Sequence, residues 1–219
     1  MDVDTVWRTI DTERAGLADL LEDLTPAEWA APSLCDAWQV GHVAAHLTLA
    51  HMGYRAATVE AIRARGSFDR MIRDTALRAA GRPPAEYAAQ LRAMVGSRRR
   101  APFVSPVEPL TDVLVHGQDM TVPLGRSRPV PPEAAAVAAR RAYAMSFPFG
   151  VRRRLAGYRL TAEDADLVLG EGAPVRGPAS AVLLLVTGRT AAALEHLEGD
   201  GARELAAAPV HRDGTRRTT

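Results

Sequence analysis

Lysine and asparagine are absent from the 219 residues, and cysteine occurs once, at Cys35. A single cysteine cannot form an internal disulfide, so no disulfide framework is expected and a reducing cytoplasm is the fitting compartment. Long apolar runs are missing too. The most apolar stretch, Ala179 to Val186, has eight residues, far below the roughly 20 that a membrane helix requires, so no membrane span is expected. No positively charged start followed by an apolar run marks a signal peptide. Neither sign of charge dominates: 27 basic residues, all Arg, face 26 acidic ones for a formal net charge of +1. Without a positive field the chain is not expected to bind nucleic acid. The Arg-only, Ala-rich skew is that of a GC-rich coding sequence and says nothing direct about mechanism.

What is present is an ordinary apolar content of 47% in a chain long enough for one or two domains; two are expected. Val6, Ile10, Leu17, Leu20, Leu21 and Leu24 recur on one helical face, with Asp4 or Thr5 available as N-cap. Thr25-Pro26-Ala27-Glu28 has capping-box spacing and starts a short helical turn. Trp38 to about Arg65 reads as the longest helix, Ala85 to Arg98 as the next, and Leu110 to Met120 as a fourth. Pro131-Pro132-Glu133 opens an Ala-rich fifth that reaches about Met145. The run Arg98-Arg99-Arg100 reads as a solvated helix end. Short connections between such helices favour an antiparallel bundle.

The periodicity changes after Phe147-Pro148-Phe149-Gly150, which places a domain boundary near residue 148. Val151 to Leu160 and Ala165 to Leu169 read as short strands, and Pro174 to Gly177 as another extended piece. Pro178 opens a helix through Val186, and Thr190 to Leu197 and Gly201 to Ala207 read as helical. The expected organisation is a helical bundle over 1–147, a small α+β domain over 148–210 and a disordered tail over 211–219.

Six histidines occur, and three of them fall on helical spacings that matter. His42 and His46 stand four apart on one expected helix, Asp112 and His116 four apart on another, so each pair shares a helix face. If the two helices face each other, His46, Asp112 and His116 offer two imidazoles and a carboxylate, a set used by catalytic zinc sites with an open position. The residues alone leave a structural alternative open: His46 as a hydrogen-bonded core histidine and Asp112 paired with an Arg. Asp119, three residues after His116, is placed to accept from a ligand imidazole and fix its tautomer. Cys35 has no base supplied by its neighbours in sequence and reads as a small buried hydrophobe, and Trp38 reads as a core anchor for the loop before His46.

Pro32-Ser33-Leu34-Cys35-Asp36-Ala37-Trp38-Gln39-Val40, followed by Val43-Ala44-Ala45-His46-Leu47, resembles a pattern of a Cys, a Trp three later and a metal-binding His eight after the Trp. Leu114-Val115-His116-Gly117-Gln118-Asp119 resembles a second motif, in which a carboxylate four residues before the His completes the ligand set. Gly157-Tyr158-Arg159-Leu160, Gly170-Glu171-Gly172, Val175-Arg176-Gly177-Pro178, Thr187-Gly188-Arg189 and Leu197-Glu198-Gly199-Asp200-Gly201 match the appended small domain of the same proteins. In order and spacing these motifs resemble the mycothiol-dependent maleylpyruvate isomerase family of the DinB-like superfamily.

The resemblance implies a mainly α fold, a DinB-like helical bundle followed by a small α+β C-terminal domain. It implies a divalent metal, with zinc the expected ion, held by His46, Asp112 and His116. It also implies a low-molecular-weight thiol such as mycothiol as cofactor, a small electrophilic substrate, and an arginine of the small domain, Arg189, contacting an anionic substrate or the thiol. Arg176 is a second candidate for that contact. The family pattern has Glu where this chain has Asp112. The shorter side chain demands a closer approach of the helices, or leaves a weaker or water-mediated third ligand. The expected activity is isomerisation or S-transfer by a metal-activated thiol, in a monomer or homodimer. A noncatalytic small-ligand or metal-binding protein and a metal-dependent hydrolase remain as alternatives.

Overall fold

A computed structural model describes residues 1–49, 75, 81–100, 104–145 and 150–208 of the chain. The first helix, α1 (Val3–Asp23), starts earlier than the apolar periodicity does, because Asp2 rather than Asp4 or Thr5 caps it: the Asp2 carboxylate accepts from the backbone N–H of Thr5. A reciprocal capping box between Thr25 and Glu28 opens α2 (Pro26–Trp29), as the sequence spacing predicts. Then come α3 (Val40–Thr48), α4 (Pro84–Ala93), α5 (Val107–Thr121) and α6 (Pro132–Ala144). The expected continuation of α3 to residue 65 and the tail over 211–219 lie outside the described residues.

Beyond residue 150 one expectation fails. Val151 to Leu160 is not a single strand: its first part is a helical turn, α7 (Val151–Arg154), and only β1 (Tyr158–Ala162) is extended. The run is too short for helical periodicity to show, and the turn is fixed by its end, where the Leu155 N–H closes on the Val151 carbonyl. β2 (Val168–Leu169) pairs antiparallel with β1, and β3 (Ala173–Gly177) pairs parallel with it, giving the order β2-β1-β3. Three helices follow, α8 (Ala179–Val186), α9 (Thr190–Leu194) and α10 (Asp200–Ala207). The described residues are therefore mainly α, with one small C-terminal sheet, and no described helix is long and apolar enough to cross a membrane.

Two hydrophobic clusters organise this arrangement. One joins Leu17 and Leu21 of α1, Val40 and Leu47 of α3, Leu91 of α4, and Val113 and Met120 of α5. The other joins the start of α1 (Val6, Trp7, Ile10), Leu110 and Leu114 of α5, the alanine row of α6, the sheet, and α8. This second cluster runs across residue 148. The reason is steric: Ala135, Ala138, Ala139 and Ala142 project almost nothing from α6, so the apolar α8, buried from Ala181 to Val186, lies directly against it. Apolar burial of this kind supplies the main favourable term, at about 25 cal/mol per Å² removed from water.

Close approach at two helix glycines sets the helix spacing near the site. A Cβ on Gly41 of α3 would lie 2.5 Å from Nε1 of Trp29, whose indole lies over that position and also meets the Tyr87 ring at 5.6 Å. A Cβ on Gly117 of α5 would lie 2.9 Å from Nε of Arg128, which crosses between α1 and α5 to pair with Glu13 at 2.6 Å. Gly41→Ala is expected to lower stability by about 1–3 kcal/mol through overpacking. Chemical denaturation measures this as a fall in midpoint at unchanged slope; an unchanged midpoint would show that Trp29 does not fix the position of α3.

Candidate functional site

Helices α3 and α5 pack side by side, through Val43 and Leu47 on one and Val113 and Met120 on the other. That contact turns His46 toward Asp112 and His116. Nε2 of His46 and Nε2 of His116 each lie 3.4 Å from the same Asp112 oxygen, Oδ1. The two imidazoles meet edge to face at 4.8 Å between ring centres. Trp38 stands behind His46 at 5.4 Å and is itself buried. The three side chains are half-buried, and one ligand atom from each lies within 4.8 Å of the others.

The other ring nitrogen of His116 is engaged on the opposite side. Nδ1 lies 2.7 Å from Oδ2 of Asp119, whose side chain is fully buried. Arg189 reaches the same carboxylate from the end of α8: its Nε donates to Oδ1 at 2.8 Å and its Nη2 to Oδ2 at 2.6 Å. Nη1 of Arg189 donates to the Thr187 carbonyl at 2.6 Å, and Nη2 also approaches Sγ of Cys35 at 3.3 Å. The Cys35 thiol donates to Oδ2 of Asp119 at 3.0 Å and lies 3.9 Å from Nδ1 of His116. The backbone adds one more tie, from the Leu34 N–H to the Asp119 carbonyl at 3.1 Å. Between Cys35 and Trp38 the chain turns through Ala37 at φ 63°, a left-handed conformation that costs a non-glycine residue about 1–2 kcal/mol.

Electrostatics follow from this packing. Burial opposes ionisation of Asp119, yet the hydrogen bonds from His116 and Arg189 outweigh it and hold the carboxyl below the usual carboxylate range. Burial likewise opposes charge on Arg189, and the Asp119 carboxylate more than offsets it, so the guanidinium stays charged. For Asp112 burial is again the opposing effect, and the His116 and His46 imidazoles beside it hold it ionised. Asp112 and Asp119 together draw the His116 imidazole well above its ordinary value against burial.

Among the described residues, two groups bring ligand atoms close enough to share an ion: His46, Asp112 and His116, and Cys35, His116 and Asp119. In the second group Asp119 already carries a two-point pair with Arg189, so its charge is neutralised without an ion. The first group has no such cation on Asp112 beyond the imidazoles themselves. His42 stands apart: its Nδ1 accepts from the Gln39 backbone N–H at 3.0 Å and so caps α3. Arg176 lies on β3 with its backbone paired to Glu198 and is exposed. Cys35 is half-buried in a polar cluster, unlike the inert hydrophobe that its sequence neighbours suggest. Its partners stand 81, 84 and 154 residues away, so no local signal announces them.

Residues 10–103 match the sequence model of the mycothiol maleylpyruvate isomerase N-terminal domain. Two crystal structures share the fold, those of a mycothiol-dependent maleylpyruvate isomerase and of its histidine-to-alanine mutant. Each superposes with a TM-score of 0.60 at 13% identity, covering 92% of this chain and 94% of the other. No curated protein matches the chain significantly in sequence. The resemblance carried by the motifs is thus met twice: residues 10–103 match that family's N-terminal domain, and the chain shares the fold of the isomerase structures.

The Asp119 cluster makes a stability prediction. Asp119→Ala leaves a buried, charged Arg189 without its partner, which is expected to cost about 3–5 kcal/mol. Replacing both, as Asp119→Ala with Arg189→Met, is expected to restore part of that loss. Denaturation of the two variants checks it, and equal losses in both would show that the pair is not the cause.

Proposed function

We propose that this chain is a metal-dependent enzyme that uses a low-molecular-weight thiol of the mycothiol type to isomerise, or transfer sulfur to, a small electrophile. The observation that carries this reading is the spacing of the trio. A charge-assisted hydrogen bond between imidazole and carboxylate closes to about 2.7–2.9 Å, whereas both Nε2 atoms stand 3.4 Å from Asp112 Oδ1. Ligands at about 2.0–2.2 Å from a tetrahedral ion are separated by about 3.3–3.6 Å. The donor set, two imidazole nitrogens and one carboxylate oxygen, suits zinc and leaves a position open for an exogenous ligand. The short Asp112 side chain in place of Glu is matched by the close approach of α3 and α5, which supports direct ligation.

A divalent ion held by these residues would lower the pKa of a thiol and make its thiolate available near neutral pH. The chain's own residues do the rest. His46 and His116 present Nε2 toward one point, Asp112 supplies the negative charge there, and Trp38 walls the His46 side. Arg189 spends four of its five N–H groups on Asp119, Cys35 and Thr187, which leaves one N–H for an anionic group. On this reading the helical part over 1–147 carries the metal and the part over 148–210 brings Arg189 to it. With maleylpyruvate, the substrate in the structural neighbours' names, a bound thiol would supply the nucleophile for a reversible addition to the conjugated double bond that allows its geometry to change, and the thiol would be released unaltered, with no redox change.

Hydrolysis by an activated water uses the same trio but needs a general base. Two titratable side chains near the trio that could serve as that base, His42 and Asp119, are occupied: His42 accepts from Gln39, and Asp119 is paired with Arg189. A noncatalytic binding role is separated from the proposal by metal content and turnover.

Purified protein is expected to hold about one zinc per chain by elemental analysis, and His46→Ala almost none. Mycothiol is expected to raise the melting temperature of the zinc-loaded protein and not of His46→Ala. Metal-free wild-type protein that cannot be loaded with zinc, or a thiol response that survives His46→Ala, would contradict the proposal.

A further inference from the structure

Arg189 touches no member of the metal trio, yet it is one hydrogen-bonded residue removed from it. The intermediary is Asp119, which is 0% exposed and accepts four contacts: one at Oδ1 from Arg189, and three at Oδ2 from Arg189, His116 and Cys35. Two of these define a fork, Nε to Oδ1 and Nη2 to Oδ2, which fixes the plane of the carboxylate as a single contact would not. The carboxylate in turn fixes the ring of His116. With Nδ1 held by Asp119, Nε2 is the nitrogen that faces Asp112 and His46. That is the orientation in which an imidazole steadied by a carboxylate binds a metal. Arg189 is itself anchored to the Thr187 carbonyl at the end of α8, and α8 is buried against α6. A rigid path therefore runs from the C-terminal part of the chain to one ligand of the site.

Resting on the metal-site reading above, we propose that Asp119 is a positioning residue through which Arg189 orients His116, so that the C-terminal part of the chain sets the metal affinity of the helical part. Arg189 thus has a role that an anion-binding residue alone would not have. Removing it frees the Asp119 carboxylate to rotate and take up water or a proton, and His116 loses its fixed orientation. The effect appears in metal binding itself, before any substrate is present.

The test is the zinc dissociation constant of full-length folded protein, measured by chelator competition, for wild type, Arg189→Ala, Arg189→Lys, Asp119→Asn and the double variant Asp119→Asn with Arg189→Ala. Val182→Ala, a cavity variant in α8 at a fully buried position, serves as a control for destabilisation alone. Losing a partner of a ligand imidazole costs about 10–100-fold in metal affinity, so Arg189→Ala and Asp119→Asn are each expected to bind zinc that much more weakly. The double variant is expected to be no weaker than Asp119→Asn, because the two residues act in one chain. Arg189→Lys, which can meet only one carboxylate oxygen, is expected to fall between wild type and Arg189→Ala and keeps the question open to test if the alanine variant does not fold. Val182→Ala is expected to lose stability and keep wild-type affinity. Wild-type affinity in Arg189→Lys together with Arg189→Ala or Asp119→Asn would overturn the inference while leaving the metal site intact. A loss in Val182→Ala equal to that in Arg189→Ala would also overturn it, as a mere effect of instability. Failure of wild type to bind zinc would instead sink the metal-site reading and this inference with it.

Discussion

The buried carboxylate of Asp119 constrains the rest of the site. A charge withdrawn from water is tolerated only when its lone pairs are satisfied by charged or well-directed donors, and this one collects them from three separated regions. His116 comes from one turn back on α5, Cys35 from the loop before α3, and Arg189 from the end of α8. Its backbone carbonyl adds Leu34. Meeting these demands at once fixes how the loop, the helix pair and the C-terminal part converge, and it leaves the other face of His116 directed at Asp112 and His46.

How much of this the sequence reveals depends on how far apart the cooperating residues lie. The helices are legible because their apolar residues repeat every three or four positions, and the α2 capping box because Thr25 and Glu28 are three apart. His46, Asp112 and His116 stand out as a possible trio because the last two share a helix face and His46 lies in a motif of its own. What spacing cannot show is that the helices bearing them face each other; that follows from the apolar packing of Val43 and Leu47 with Val113 and Met120. The join of Arg189 to Asp119 is invisible in sequence, with 70 residues between them. The reading of Val151 to Leu160 as a strand fails for a different reason. One helical turn is too brief to establish a period, and the three arginines in it carry no face preference.

At Asp112, where the resembled motif has Glu, one carboxylate oxygen stands 3.4 Å from each of the two imidazole nitrogens. At 13% identity, what this chain shares with the structural neighbours is the fold.

X-ray absorption at the zinc edge tests the central claim most directly, because it reads the atoms around the ion without reference to turnover. The account predicts a first shell of nitrogen and oxygen at about 2.0–2.1 Å in the zinc-loaded protein, and one added sulfur at about 2.3 Å when mycothiol is supplied. A shell that already contains sulfur before the thiol is added would place Cys35 on the ion in place of the proposed trio. A nitrogen and oxygen shell unchanged by mycothiol would contradict the thiol chemistry.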